Sequence, residues 1–311
     1  GNLSIQVYIW GKTKMDISYD YYRIFYYVAK YRSMTQAAAA LMSSQPNVTR
    51  VINNLENELG CRLIIRNNRG ITLTAEGEQL YKHAAIAFEQ LQRGEAELSQ
   101  NAGLQSGILY IGASETALHG LLLPILRQFH EAYPAVRLKI FNYTTPQAIN
   151  ALKSGQIDFA VVTSPTKVSG SLQEIKLKTI HEILIASSSF TSLANKKLHL
   201  KELTHYPLIS LAQNTRTYEL YNKFYLDHGL EWEPDIEVAT SDLILPMVKN
   251  SLGLGFIPAE FAQEALSKGE IIEIQLVEKT LDRTICLIQD THHGLSIAAR
   301  AMRDLLVEQV K

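Results

Sequence analysis

The stretch Ser44-Gln45-Pro46-Asn47-Val48-Thr49-Arg50, followed by Asn53 and Asn57, carries side chains suited to base edges and phosphates. Gln and Asn pair bidentately with adenine, and Arg pairs with guanine or phosphate. At about 100° per residue, Pro46, Arg50, Asn53 and Asn57 fall opposite an apolar stripe of Val48, Val51, Ile52, Leu55 and Leu59. Thr49 lies at the edge of the polar face and Gln45 projects from the first turn. None of these polar residues is acidic. This is the composition expected of a helix lying in a major groove. The chain as a whole has net charge -1. Between Tyr21 and Thr74, however, seven cations (Arg23, Lys30, Arg32, Arg50, Arg62, Arg66 and Arg69) face two acids, Glu56 and Glu58. A basic segment on an acidic body fits phosphate binding.

The surrounding sequence must hold that helix in place. The spacing of Ile24, Phe25, Tyr27, Val28 and Tyr31 predicts a helix over 20–31. Ser33 and Gln36 fit a capping box that opens a second helix ending near Met42. Ser44 caps the third helix, Pro46 is tolerated in its first turn, and Gly60 fits its left-handed stop. The small Ala37, Ala38, Ala39 and Ala40 let the second helix cross the third at short range, as in a helix-turn-helix. Leu63 to Leu73 reads as two strands joined by an Asn-Asn-Arg-Gly turn, with Arg69 on the tip, suited to a minor groove. Thr74 caps a long helix to about Gln100. On it Gly77, Ala84, Leu91 and Leu98 share one heptad position, and Tyr81 and Phe88 a second, which Glu95 breaks. Two copies of such a helix can pair through Leu80, Tyr81, Ala84, Phe88, Leu91 and Leu98. The alternative is a helix packed on its own domain, and Gly94 weighs against a long pairing seam.

After a linker at 101–107 the pattern changes to β-α-β-α-β up to Ser164, which implies a parallel sheet. A comparable order follows, with strands at 181–187, 207–211, 235–241 and 255–259 and helices at 215–229 and 242–253. A strand at 283–290 and a helix at 295–310 close the chain. The expected organisation is an extension at 1–14 ahead of Met15, a DNA-binding part at 15–74, a linker helix and hinge at 75–105, and a two-lobed body at 106–311. Its first lobe takes 106–164 and 281–311, its second 165–280. No apolar run reaches the ~18 residues of a membrane span. Two distant cysteines, Cys61 and Cys286, fit a reducing compartment, so a cytoplasmic location is expected.

The N-terminal part resembles the winged helix-turn-helix of LysR-type transcriptional regulators. The residues that carry the resemblance are Ser33-Met34-Thr35-Gln36-Ala37-Ala38 through Leu41, then Ser44 to Arg50, Leu55-Glu56, Leu59-Gly60, Leu63, Arg66, Leu73-Thr74 and Gly77. The long helix and the two α/β lobes match the family in order and length, which implies an α/β body of the periplasmic-binding-protein type II kind. Asn47 departs from the family, where a small or apolar residue is usual, and so do Ile64 and Thr49. The resemblance implies that Gln45, Pro46, Thr49 and Arg50 touch bases or phosphates and that Arg69 enters the minor groove. The wider set of expected DNA contacts adds Thr35, Gln36, Ser44, Asn47, Asn53 and Arg66. It further implies a homodimer or homotetramer built on the long helix, a small-molecule effector between the lobes, and RNA polymerase as a possible partner.

Polar residues where strands open into helices mark the cleft: Ser114, Glu115, Thr116, Thr144 and Thr145 on the first lobe, and Gln213, Asn214, Thr215, Thr240 and Ser241 on the second. Helix N-termini at such places favour carboxylate or phosphate, and the family resemblance implies a small organic anion, while Glu115, unless it points away, weighs against a multiply charged one. Each hydroxyl also has a plain reading as a helix cap. Adjacent His292 and His293 point in different directions and read as a surface loop, not a metal site. Gly253 to Gly255 opens a strand and is no phosphate loop. No catalytic set, metal site or cofactor is expected. The runner-up is a two-lobed small-molecule-binding protein without a DNA-binding role, which leaves the basic N-terminal unit unexplained.

Overall fold

The structure, a computed structural model, describes residues 17–67, 70–99 and 107–309. Residues 1–14 and Arg69 lie outside them. The chain divides into two compact units, Gly1–Leu98 and Ser99–Lys311.

In the first unit α1 (Tyr19–Tyr31), α2 (Met34–Ala40) and α3 (Gln45–Leu59) are followed by a hairpin of β1 (Ile64–Asn67) and β2 (Gly70–Leu73), then by α4 (Ala75–Ser99). Ser18, Ser33 and Ser44 each accept a backbone N–H at a helix start. Their short hydroxyl chains satisfy donors that the first turn leaves free. Gly60 ends α3 at φ 71°, a conformation that costs a Cβ-bearing residue more. Of the four alanines only Ala37 and Ala38 are buried, because successive helical residues rotate off the contact face; Ala39 and Ala40 are exposed. Val48, Ile52 and Leu55 pack with Phe25, Val28 and Leu63 in one core. Each such side chain is worth about 1.5–3 kcal/mol of burial.

Two contacts lock the hairpin to the helices. Glu56 is buried on α3, and its Oε1 accepts the N–H groups of Leu63 (2.7 Å) and Ile64 (3.1 Å). Its Oε2 accepts from Arg62 at 2.7 Å. On the other side, the first turn of α4 presses on the Leu63 carbonyl, which accepts from Thr74 N at 3.0 Å. A Cβ on Gly77 would lie 2.0 Å from that oxygen.

The second unit is built on a sheet of order β4-β3-β5-β12-β6-β10-β8-β9, with β11 added beside β6 and β7 beside β11. Its strands are β3 (Gly107–Ala113), β4 (Val136–Asn142), β5 (Phe159–Thr163), β6 (Leu172–Ser187), β7 (Lys197–Leu198), β8 (Leu208–Leu211), β9 (Ile236–Val238), β10 (Leu254–Pro258), β11 (Ile271–Leu276) and β12 (Asp282–Asp290). Its helices are α5 (Glu115–Ala117), running through a π turn into α6 (Leu123–Ala132), α7 (Thr145–Lys153), α8 (Arg216–Asp227), α9 (Ile244–Lys249), α10 (Ala259–Ser267) and α11 (Ile297–Glu308). Strand residues alternate between two cores in each lobe. Leu109, Ile111 and Val161 face α6 and α11, while Tyr110, Ala160 and Val162 face α7. In the other lobe Leu184 and Phe256 face α8, and Ile183, Ile209 and Ile257 face α9 and α10. Helices thus cover both faces of each half-sheet, as a doubly wound fold requires.

The lobe boundary differs from the expected one. β6 begins at Leu172, not near 181, and its first half pairs with β12 on the first lobe's sheet. Its second half pairs with β10 and β11 on the second. Residues 172–180 therefore belong with the first lobe, and β6 is the strand that runs from one lobe's sheet into the other's. α10 and β11 were not expected from the sequence.

Candidate nucleic-acid interface and ligand cleft

The cap at Ser44 and the buried stripe of α3 turn Gln45, Pro46, Arg50, Asn53 and Asn57 to solvent, all of them exposed. Thr49 and Asn47 are half-buried at the two shoulders of that face. Thr35 and Gln36, exposed in the first turn of α2, lie alongside: Thr35 Oγ1 donates to Gln45 Oε1 at 3.4 Å. Ser44 caps Asn47 N at 3.4 Å. Arg50 Nη2 donates to Asn47 Oδ1 at 2.8 Å. Arg66 is exposed on β1. Beside Asn53 a concave surface is lined by Arg62, Arg66, Ile64 and Ile65 and floored by Glu56. The polar face of α3 and two cations of the hairpin are thus contiguous.

α4 packs partly on its own unit. Phe88 packs on Tyr26 with centroids 4.5 Å apart and ring planes 32° apart, and Leu80, Tyr81 and Ala84 join the core. Leu91 is exposed, and an apolar groove between α1 and α4 is lined by Tyr19, Tyr22, Leu80, Ala84, Ala87 and Phe88. The side chain of Leu98 lies outside the described residues.

Between the two lobes lies an open cleft. Eight of the expected residues line it: Ser114, Glu115, Thr116, Thr144, Thr145, Thr215, Thr240 and Ser241. Gln213 and Asn214 do not; both are exposed, and Gln213 bonds Glu237 instead. The cleft also takes Asn142, Tyr143, Thr163, Arg216 and Thr217, which sequence reasoning missed. Arg216 had a usable signal, since it is the first helical residue after the cap Thr215. The capping reading holds for three hydroxyls: Ser114, Thr144 and Thr215 each accept a backbone N–H. The consequence is that two helix starts from each lobe face one space, at Glu115, Thr145, Arg216 and Ser241. Thr116 and Ser241 hydroxyls meet across the cleft at 3.1 Å.

The charges of the cleft are held in place. Glu115 accepts from Asn142 at 2.8 Å and lies 2.7 Å from His119 Nε2. Arg216 Nη1 donates to both oxygens of Glu219, and its buried Nε has no protein partner. Lys167 and Arg216 together hold the Glu219 carboxyl below its ordinary range. Under the floor, Arg283 is 3% exposed and Glu182 1%. Arg283 Nε donates to Glu182 Oε1 at 2.8 Å, and Nη1 donates to Thr217 at 2.7 Å and Thr163 at 3.3 Å. Tyr221 donates to Glu182 Oε2 at 2.9 Å. Burial, and then the Glu182 charge, push the Tyr221 hydroxyl well above its usual range, so it stays a donor.

Known proteins decide what these two arrangements belong to. Residues 19–78 match the family described as bacterial regulatory helix-turn-helix protein, lysR family. Residues 102–311 match the LysR substrate binding domain. The chain belongs to the LysR family. It is therefore a DNA-binding transcriptional regulator with an effector-binding domain, and a two-lobed binder without a DNA-binding role is set aside. This LysR-family chain is 26% identical over 277 residues to the HTH-type transcriptional regulator YofA of Bacillus velezensis, covering 89% of the chain and 93% of the relative. It is 29% identical over 252 residues to the HTH-type transcriptional regulator CzcR of Bacillus cereus, covering 80% of the chain and 83% of the relative. Full-length CbnR, solved with its target DNA, shares the fold: TM-score 0.71 at 20% identity, over 94% of this chain and 100% of that one.

Proposed function

We propose that the polar face of α3 reads an operator in the major groove, and that a small organic anion in the cleft sets how the regulator engages it. The observation that carries the first half is the exposure of Gln45, Pro46, Arg50 and Asn53 on one acid-free face, with Thr49 at its shoulder and Arg66 beside it. Gln45, Pro46, Thr49 and Arg50 contact bases or phosphates; Thr35, Gln36, Ser44 and Arg66 meet the backbone; Arg69 reaches the minor groove. A second copy covers the apolar groove between α1 and α4, Leu91 included, which makes the working unit a dimer or a tetramer. The regulator acts in the cytoplasm, with RNA polymerase as a further partner.

Replacing Arg50 with Ala tests the DNA half. If Arg50 holds phosphate, the salt slope of binding falls by about one; if it reads a base, discrimination at one position falls by ~1–3 kcal/mol. An unchanged slope and unchanged discrimination would remove α3 from the groove.

Helix starts favour negative charge, and Arg216 adds a cation with a free N–H. A panel of small mono- and dicarboxylates is expected to contain at least one that raises the melting temperature of the full chain. Arg216→Gln is expected to abolish that rise. A rise that survives Arg216→Gln assigns the anion to another site.

A further inference from the structure

The reading of α3 as the groove-facing helix supports a finer one. We propose that Asn47 is a specificity-determining positioning residue, which clamps the Arg50 guanidinium and so fixes the base edge that Arg50 meets. Asn47 sits at the shoulder of α3, half-buried, between Ser43 and Arg50. Its Nδ2 donates to Ser43 Oγ at 3.0 Å. Its Oδ1 accepts from Arg50 Nη2 at 2.8 Å. Ser43, in the turn just before the cap of α3, is thus joined to Asn47 and Arg50 at spacings of four and three residues.

The chemistry allows one orientation. A guanidinium only donates, so the amide oxygen must face Arg50 and the amide nitrogen must face Ser43. The hydroxyl of Ser43 accepts from that nitrogen and keeps the amide from turning. Arg50 gives up one of its five N–H groups to the clamp and keeps the rest of its planar fork for DNA. A free Arg side chain must lose its rotamer freedom on binding, and a held one has lost it already.

The test uses the full chain and duplexes selected from a random-core pool. The selected duplex and its single-base variants are titrated with wild type, Asn47→Ala, Ser43→Ala, Arg50→Ala and the Asn47→Ala/Arg50→Ala double variant. Alanine is a good helix former, so the substitutions leave α3 intact. Asn47→Ala is expected to lower discrimination roughly threefold to tenfold at one base pair per half-site. That base pair is the one that Arg50→Ala affects more strongly. Ser43→Ala is expected to act there too, by less. The double variant is expected to match Arg50→Ala alone, because nothing remains to be clamped. Three results overturn the clamp while leaving α3 in the groove: a wild-type profile for Asn47→Ala, a loss spread evenly over all duplexes, or effects that multiply in the double variant. Wild-type discrimination by Arg50→Ala with a lowered salt slope would overturn the clamp and leave α3 in the groove on a phosphate contact; wild-type discrimination with an unchanged slope would overturn the placement of α3 itself, and the clamp with it.

Discussion

Arg283→Met is expected to destabilise the two-lobed unit by about 3–5 kcal/mol, because it leaves the Glu182 carboxylate buried without its cation. The pair sits where β6 passes from one lobe's sheet to the other beside the start of β12, and neither residue reaches water. Removing the guanidinium also strips donors from Thr163 and Thr217, two hydroxyls of the cleft. Met keeps most of the volume, so the loss reports charge and hydrogen bonding, not a cavity. The double variant Arg283→Met/Glu182→Leu is expected to lose less than the sum of the singles, since it removes the stranded charge. Its Tyr221 hydroxyl, then without its acceptor, keeps it below wild type. Urea unfolding of the full chain measures all three. A cost under ~1 kcal/mol for Arg283→Met would mean that the pair is open to solvent in solution.

The second large effect is one of sign. Two glycines lie within α4, and alanine is the better helix former by about 1 kcal/mol. Gly94 has no atom within 4 Å of a built Cβ, so Gly94→Ala is expected to raise the melting temperature of the DNA-binding unit. At Gly77 the same substitution places a methyl 2.0 Å from the Leu63 carbonyl oxygen, which is backbone and cannot swing away. Either α4 lifts from β1 or the hairpin shifts, at a cost of about 3 kcal/mol or more. Gly77→Ala is therefore expected to lower the melting temperature and to weaken duplex binding, because the hairpin carries Arg66. Equal and positive shifts from both substitutions would show that helix propensity alone governs the site.

Much of the first unit was legible in the sequence because local rules agree there. Ser33 and Ser44 cap where the pattern placed them, Gly60 stops α3, and the stripe from Val48 to Leu55 is buried as its spacing implied. The first half of β6 was not legible for a physical reason. The β6–β12 register shifts between Ile285 and Cys286, so the buried Leu177 and Ile180 stand three apart and break the period of two. α10 is nine residues long and buries only Ala262 and Ala265, too weak a stripe to read. In the cleft, strand ends and caps marked the right loops. They did not distinguish Gln213 and Asn214, which stand out in solvent, from Arg216, which turns in. Arg283 opens an apolar strand, and its inward face is set by a partner about a hundred residues away. The Asn47 clamp depends on rotamers, and only the identity of the residue was visible beforehand.

A dimer that reads DNA through α3 selects a sequence with twofold symmetry. The most direct measurement is selection of duplexes from a random pool by the full chain, at low and at moderate salt. An imperfect palindrome with half-sites about one helical turn or more apart is expected, bound less tightly as salt rises. Recovery of no sequence above background, or of a single unpaired half-site, would contradict it.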